Sequence, residues 1–209
     1  HTLYENKDPY LIREPSGTLD TQKASYHAIS ERATRVEGSE FHSERYTLKL
    51  EGAAFSGFQT VAIGGVRDPY ILARVDSWLA EMKLFFAERL KELTGKTLGE
   101  EVQIDIAQYG RNAVMGKLEP LLEQIPHELG LLFTVTAPEQ TLANDVARFV
   151  THAASHWPIS EWDGFISGIA FPFSPPEIDR GPVYRFTLNH VLIPESPLSA
   201  FRFEVEDFQ

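Results

Sequence analysis

The stretch Phe58-Gln59-Thr60-Val61-Ala62-Ile63-Gly64-Gly65-Val66-Arg67-Asp68-Pro69 decides how the chain is read. Val61 and Ile63 belong to a short apolar strand that ends at Gly64-Gly65. Asp68-Pro69 then supplies a helix N-cap with proline at the first helical position, where its missing N–H costs nothing. One short strand therefore feeds directly into one helix. Ile71, Leu72, Val75, Trp78, Leu79, Met82, Phe85, Phe86, Leu90 and Leu93 recur every three or four residues and predict a long amphipathic helix, stopped by Thr94-Gly95.

Downstream the period changes to two. Val102, Ile104 and Ile106 alternate with Gln103, Asp105 and Ala107, a second strand. A loop runs from Tyr109 to Glu128. Leu129, Leu131, Phe133 and Val135 mark a third strand. Pro138 opens a second helix with the stripe Leu142, Val146, Phe149, Val150, Ala153 and Trp157, and Pro158 closes it. A second long loop covers 158 to 182, and Tyr184, Phe186 and Leu188 alternate with Arg185, Thr187 and Asn189 in a fourth strand. The order β-α-β-β-α-β over residues 58–193 predicts an α+β, ferredoxin-like unit: an antiparallel sheet with both helices on one face. The other face is expected to carry Gln103, Asp105, Thr134, Arg185, Thr187 and Asn189, and to meet solvent, another domain or a second copy.

Upstream, residues 1–57 read as an irregular extension with short strands. Glu14-Pro15-Ser16-Gly17 is a turn, Val36 sits in a short strand, Tyr46, Leu48 and Leu50 alternate as a half-buried strand, and Gly52 to Gly57 reads as a loop. Residues 194–209 form an acidic, aromatic tail.

Strand directions in this order bring the 64–68 turn, the 109–128 loop and the 158–182 loop to the same end of the sheet. Long loops in a compact domain are usually functional or disordered, so this end is where a site is expected. It carries Arg67, Asp68, Arg111, Asn112 and Lys117. Arginine offers a two-pronged fork for a carboxylate or phosphate. The competing use of each cation is a local ion pair, with Asp68 or Glu119 as partner. His127-Glu128, at the mouth of the third strand, pairs an imidazole with a carboxylate and is the candidate for general acid/base work. Adjacent residues entering a strand point to opposite faces, which favours separate structural uses. Phe171-Pro172-Phe173-Ser174-Pro175-Pro176 reads either as an apolar wall for an acyl chain, with Phe171 and Phe173 in contact, or as a stiff loop packed on the core.

His152 and His156 have the i, i+4 spacing of metal ligands, but a site needs three or four ligands and no third is apparent, so no metal is expected. Gly64-Gly65 lacks the Gly-x-Gly-x-x-Gly pattern, and no phosphate loop is present. The sequence names no cofactor.

Composition narrows the partners. The 209 residues carry 19 basic and 30 acidic side chains, a net charge of −11, which works against nucleic acid or an anionic membrane as partner. No apolar run approaches the roughly 20 residues of a membrane helix. There is no cysteine, which removes disulfides and thiolate chemistry and fits a reducing cytoplasm. His1-Thr2-Leu3-Tyr4-Glu5 lacks the basic and apolar regions of a signal peptide, and the missing initiator methionine predicts that the chain starts inside a longer product.

Several stretches together carry a resemblance. They are Thr2 to Asn6 with Asp8-Pro9, Glu14 to Thr21, Gly65-Val66-Arg67-Asp68-Pro69, Tyr109 to Gly116, Pro126 to Gly130, and Phe171 to Pro175. In order and spacing the chain resembles the C-terminal part of the acyclic terpene utilisation (AtuA-type) family over nearly its whole length. Where the family's glycine-arginine stretch continues with Asp-Gly, this chain has Asn112-Ala113, an amide without acid/base capacity. The resemblance implies an α/β N-terminal half as partner and a role in degrading acyclic terpenoid or branched acids, often as CoA thioesters. Two functions are thus expected in competition. One is a catabolic domain that helps bind a branched carboxylate or acyl-CoA. The other is a structural domain that mediates oligomerisation, with catalysis in the N-terminal half.

Overall fold

The computed structural model describes residues 7–159 and 168–207. Thr2 to Asn6 of the resemblance, and 160–167 of the second long loop, lie outside them. The chain is mixed α/β and strand-rich, with antiparallel sheets and, among the described residues, three α-helices. It divides into two compact units, Ala54–Arg185 and a unit made of His1–Ala53 with Phe186–Gln209.

The strand-rich unit contains β1 (Leu11–Glu14), β2 (Gly17–Asp20), β3 (Ser25–Ser30), β4 (Ala33–Glu37) and β5 (Glu40–Ser43). Glu14 pairs with Gly17 across a turn at Pro15-Ser16, so the turn cluster makes a hairpin, and β5 adds to its β2 edge. Strands β3 and β4, the latter holding Val36, form a separate two-stranded ribbon. Among the described residues of this unit only Gly17 is buried.

The other unit holds the helices and a four-stranded sheet in the order β7-β8-β6-β9. Its strands are β6 (Leu48–Val66), β7 (Gln103–Tyr109), β8 (Leu129–Ala137) and β9 (Ile178–Leu192), of which β6 and β9 have ranges that cross the unit boundary. Strand β8 pairs antiparallel with both β6 and β7. Contacts of Arg180 with Gln59 and of Tyr184 with Phe55 run in opposite chain directions, so β9 is antiparallel to β6 as well. The segment read as a loop, Gly52 to Gly57, lies within β6. Thr187 and Asn189 belong to the strand-rich unit, where the Thr187 hydroxyl donates to the Gly52 carbonyl.

The predicted first helix is broken in two, α1 (Pro69–Ala73) and α2 (Val75–Thr94), at Arg74 with φ −127° and ψ 19°. The break leaves the apolar stripe in phase, so Ile71, Leu72, Val75, Trp78, Leu79, Met82, Phe86 and Leu90 are all buried, whereas Leu93 is exposed. Gly95 ends α2 in the left-handed region, φ 71°, with its N–H on the Lys91 carbonyl. Helix α3 (Gln140–Ser155) buries Ala143, Val146, Ala147, Val150 and Ala154. These stripes join Val102, Ile104 and Ile106 of β7 and Leu129, Leu131, Phe133 and Val135 of β8 in one core on one face of the sheet. Among the described residues no helix is long and apolar enough to cross a membrane.

Candidate functional site

Asp68 does what its place before Pro69 predicts. Its carboxylate accepts the N–H groups of Tyr70 at 2.8 Å and Ile71 at 3.1 Å, two donors that a helix start leaves unpaired. That use fixes the end of the β6–α1 turn. The break at Arg74 then starts a second helix, and Asp76 falls in its first turn, where a negative charge is favoured.

Arg111 follows β7 in a turn held by its N–H on the Gln108 carbonyl. Its guanidinium crosses to Asp76 in a two-pronged pair: Nη2 donates to Oδ2 at 2.7 Å and Nη1 to Oδ1, while Nη1 also reaches Gln108 Oε1 at 3.1 Å. The Arg111 side chain is only 12% exposed and that of Asp76 is 70% exposed, so the cation is the enclosed partner. The hydrogen bond from Arg111 holds the Asp76 carboxyl below its ordinary range, against a smaller opposing effect of burial. Asp76 in turn raises the Arg111 pKa, with Glu123 adding a weaker pull. Local pairing therefore wins at Arg111, through Asp76 and not through the Asp68 or Glu119 suggested by sequence.

Beside this pair lies an open cleft of about 370 Å³ between the α1–α2 break and the 122–126 segment. Leu72, Val75, Leu122 and Ile125 give it apolar lining, and Arg74, Asp76, Ser77, Arg111, Glu123 and Gln124 give it polar lining. It sits at the sheet end where β6 runs into α1 and where the segment between β7 and β8 lies.

Of the residues nominated from sequence, only Arg111 lines this cleft. Arg67, Lys117, His127 and Glu128 are exposed and make no side-chain hydrogen bond or ion pair among the described residues. Lys117 stands in a one-turn 3₁₀ helix, Gly116–Leu118. Asn112 acts through its backbone, its carbonyl accepting the Gly116 N–H at 2.8 Å. Phe171 packs on the core, its ring centroid 6.3 Å from that of Phe133, whereas Phe173 is 53% exposed. His152 and His156 are exposed with ring centroids 5.6 Å apart, and among the described residues no third acid or histidine joins them.

Sequence reasoning missed Arg74, Asp76 and the 122–125 wall. An acid in a first helical turn is ordinary helix grammar and carries no signal of a site, and its partner lies 35 residues away. Compared with known proteins, the chain matches no protein-family model, no curated protein and no solved structure.

Proposed function

We propose that this chain is the C-terminal part of a cytoplasmic catabolic protein of the acyclic terpene utilisation type, and that it helps bind a branched carboxylate or acyl-CoA substrate. The sheet order β7-β8-β6-β9, which is second-third-first-fourth in the unit, supports a ferredoxin-like reading of Ala54–Arg185. The observation that carries the binding role is the cleft. Leu72, Val75, Leu122 and Ile125 line it together with the Arg111 fork, a mixed lining that suits a molecule with a branched hydrocarbon part and an anionic head. The anion competes with Asp76, which is exposed and can turn to solvent. Arg67 and Lys117 add positive charge at the same end of the sheet. His127 and Glu128 lie outside the cleft lining, so proton transfer and the reaction itself are assigned to an α/β half preceding this chain.

The test uses the full-length protein with Arg67 and Arg111 both changed to alanine, screened against short branched acids and their CoA thioesters. Loss of a charged hydrogen-bonding pair of contacts predicts binding weaker by about tenfold or more. Normal binding and turnover would end the proposal.

The second reading, an assembly domain, is favoured by the strand-rich unit. It leaves Tyr26, Ile29, Val36, Phe41, Phe186 and Phe203 exposed, and none of its described hydrophobic side chains is buried. A set of strands without a core gains little from folding alone and is expected to be covered by another protein surface.

A further inference from the structure

The sheet of the Ala54–Arg185 unit has one face in the core and one face open. On the open face the strand register arranges side chains in rows. One row is polar and internally satisfied: Arg180 Nη1 donates to Gln59 Oε1 at 2.7 Å, and Gln59 Nε2 donates to Thr136 Oγ1 at 3.0 Å, with Gln103 opposite Thr136. Because the Gln59 amide already has partners, covering this row costs little. The next row holds Val61, Thr134 and Asp105, the one after it Ile63, Leu132 and Ala107, and Tyr109 ends the face, with Ile63 46% and Tyr109 52% exposed. Two charges remain near the edges. Asp105, on β7, has no hydrogen-bond or ion-pair partner among the described residues, and Arg180, on β9, has a neutral amide and no carboxylate.

We infer that two copies of this chain pair face to face through this sheet, about a two-fold axis parallel to the strands. That axis stacks β7 of one protomer on β9 of its partner. Asp105 and Arg180 occupy adjacent rows, about 7 Å apart along the strand, within reach of an arginine side chain. Asp105 of each protomer then meets Arg180 of the partner subunit, and the pairing occurs twice, as a self-complementary interface requires. An axis across the strands would instead stack β7 on β7, bringing Asp105 against Asp105 and Arg180 against Arg180. The charge pattern therefore selects one arrangement. Elsewhere the chain's net charge of −11 opposes contact between copies, whereas this face is neutral once the pair is counted. Four strands and four outward rows span roughly 20 Å by 25 Å, less than the roughly 800 Å² per partner of standard interfaces, so pairing is reversible and concentration-dependent. The inference rests on the assembly reading and adds to it a second copy as partner, through the sheet of Ala54–Arg185 and not through the exposed strands of the other unit.

Sedimentation equilibrium of the full chain, from low micromolar to near millimolar, is the test. The chain is expected to pass from monomer to dimer. D105R and R180D, each setting like charges together, should raise the dissociation constant by about tenfold or more, and the double variant D105R/R180D should return it to within about threefold of the starting value. I63K, which buries a lysine in the apolar row of Ile63, Leu132 and Ala107, should abolish pairing whatever the charges do, with circular dichroism confirming that the unit is folded. A dimer indifferent to all four variants overturns this surface but leaves the assembly reading standing. A monomer at every concentration overturns the inference, and the assembly reading then falls only if the full-length protein is monomeric too.

Discussion

The two units of the chain use β-strands in opposite ways. In Ala54–Arg185, β8 buries Leu129, Leu131, Phe133, Val135 and Ala137 in strict alternation, and every described buried hydrophobic side chain of the protein lies in this unit. In the unit made of His1–Ala53 and Phe186–Gln209, β3, β4 and β5 are exposed at every position. Both regions have backbone ladders. Only one adds the apolar burial that offsets the entropy of ordering a chain. Hydrogen bonds exchanged with water contribute modestly, so the difference lies in the side chains.

The sharpest way to break this comparison is to truncate one aromatic in each unit. Phe133 is 1% exposed and touches Phe171, so Phe133→Ala is expected to cost about 3–5 kcal/mol in urea unfolding. Tyr26 is 65% exposed, and Tyr26→Ala should change stability by about 0.5 kcal/mol or less. A cost above about 1 kcal/mol at Tyr26 would mean that the strand-rich unit is covered in solution, since surface changes away from packing rarely exceed half that.

A middle-sized effect tests how the core unit closes its edge. Gly65 exchanges both backbone hydrogen bonds with Ala170, at 2.8 Å each, which brings Ile169 and Phe171 against Gly64. A Cβ on Gly64 would stand 2.3 Å from Ile169 Cγ2 and 3.2 Å from Phe171 Cε1. Gly64→Ala therefore forces the 169–171 segment outward, at an expected cost of about 1–3 kcal/mol with wild-type behaviour elsewhere. Hydrogen exchange at Gly65 and Ala170 reads the effect directly. Unchanged protection there would show that the segment is not held against β6.

What could be read in advance follows from the same contrast. The alternation of 129–135 and the stripe of the first helix were legible because burial on one face selects side chains at a fixed period. The break at Arg74 was not, since the stripe stays in phase across it and only backbone angles change. Gly52 to Gly57 looked like a loop because Gly52, Ala53, Ala54 and Gly57 have little intrinsic strand preference. Their extended form within β6 comes from pairing with a distant part of the chain, as in the Thr187 bond to Gly52. The end of the sheet that holds the cleft followed from strand direction. Its contents did not, because Asp76 and the 122–125 wall are joined to Arg111 by tertiary packing alone.

Asp76→Asn is expected to have a small effect on stability and the most pointed one on function. The pair is largely exposed on the Asp76 side, so after solvent screening its loss should cost well under about 1 kcal/mol. The sign with pH is fixed by the lowered Asp76 pKa. A carboxyl that ionises more easily in the folded protein stabilises it above the unfolded carboxylate range, and that stabilisation is lost as pH falls through the folded pKa. The gap between wild type and Asp76→Asn is therefore expected at neutral pH and should close on acidification below about pH 4. Binding should move the other way. The substitution frees the Arg111 fork, so a carboxylate ligand of the cleft should bind severalfold more tightly to Asp76→Asn than to wild type. If Arg111 serves only to tie the turn after β7 to α2, the variant loses that tie and gains no affinity, and measuring both quantities on one protein separates the two roles.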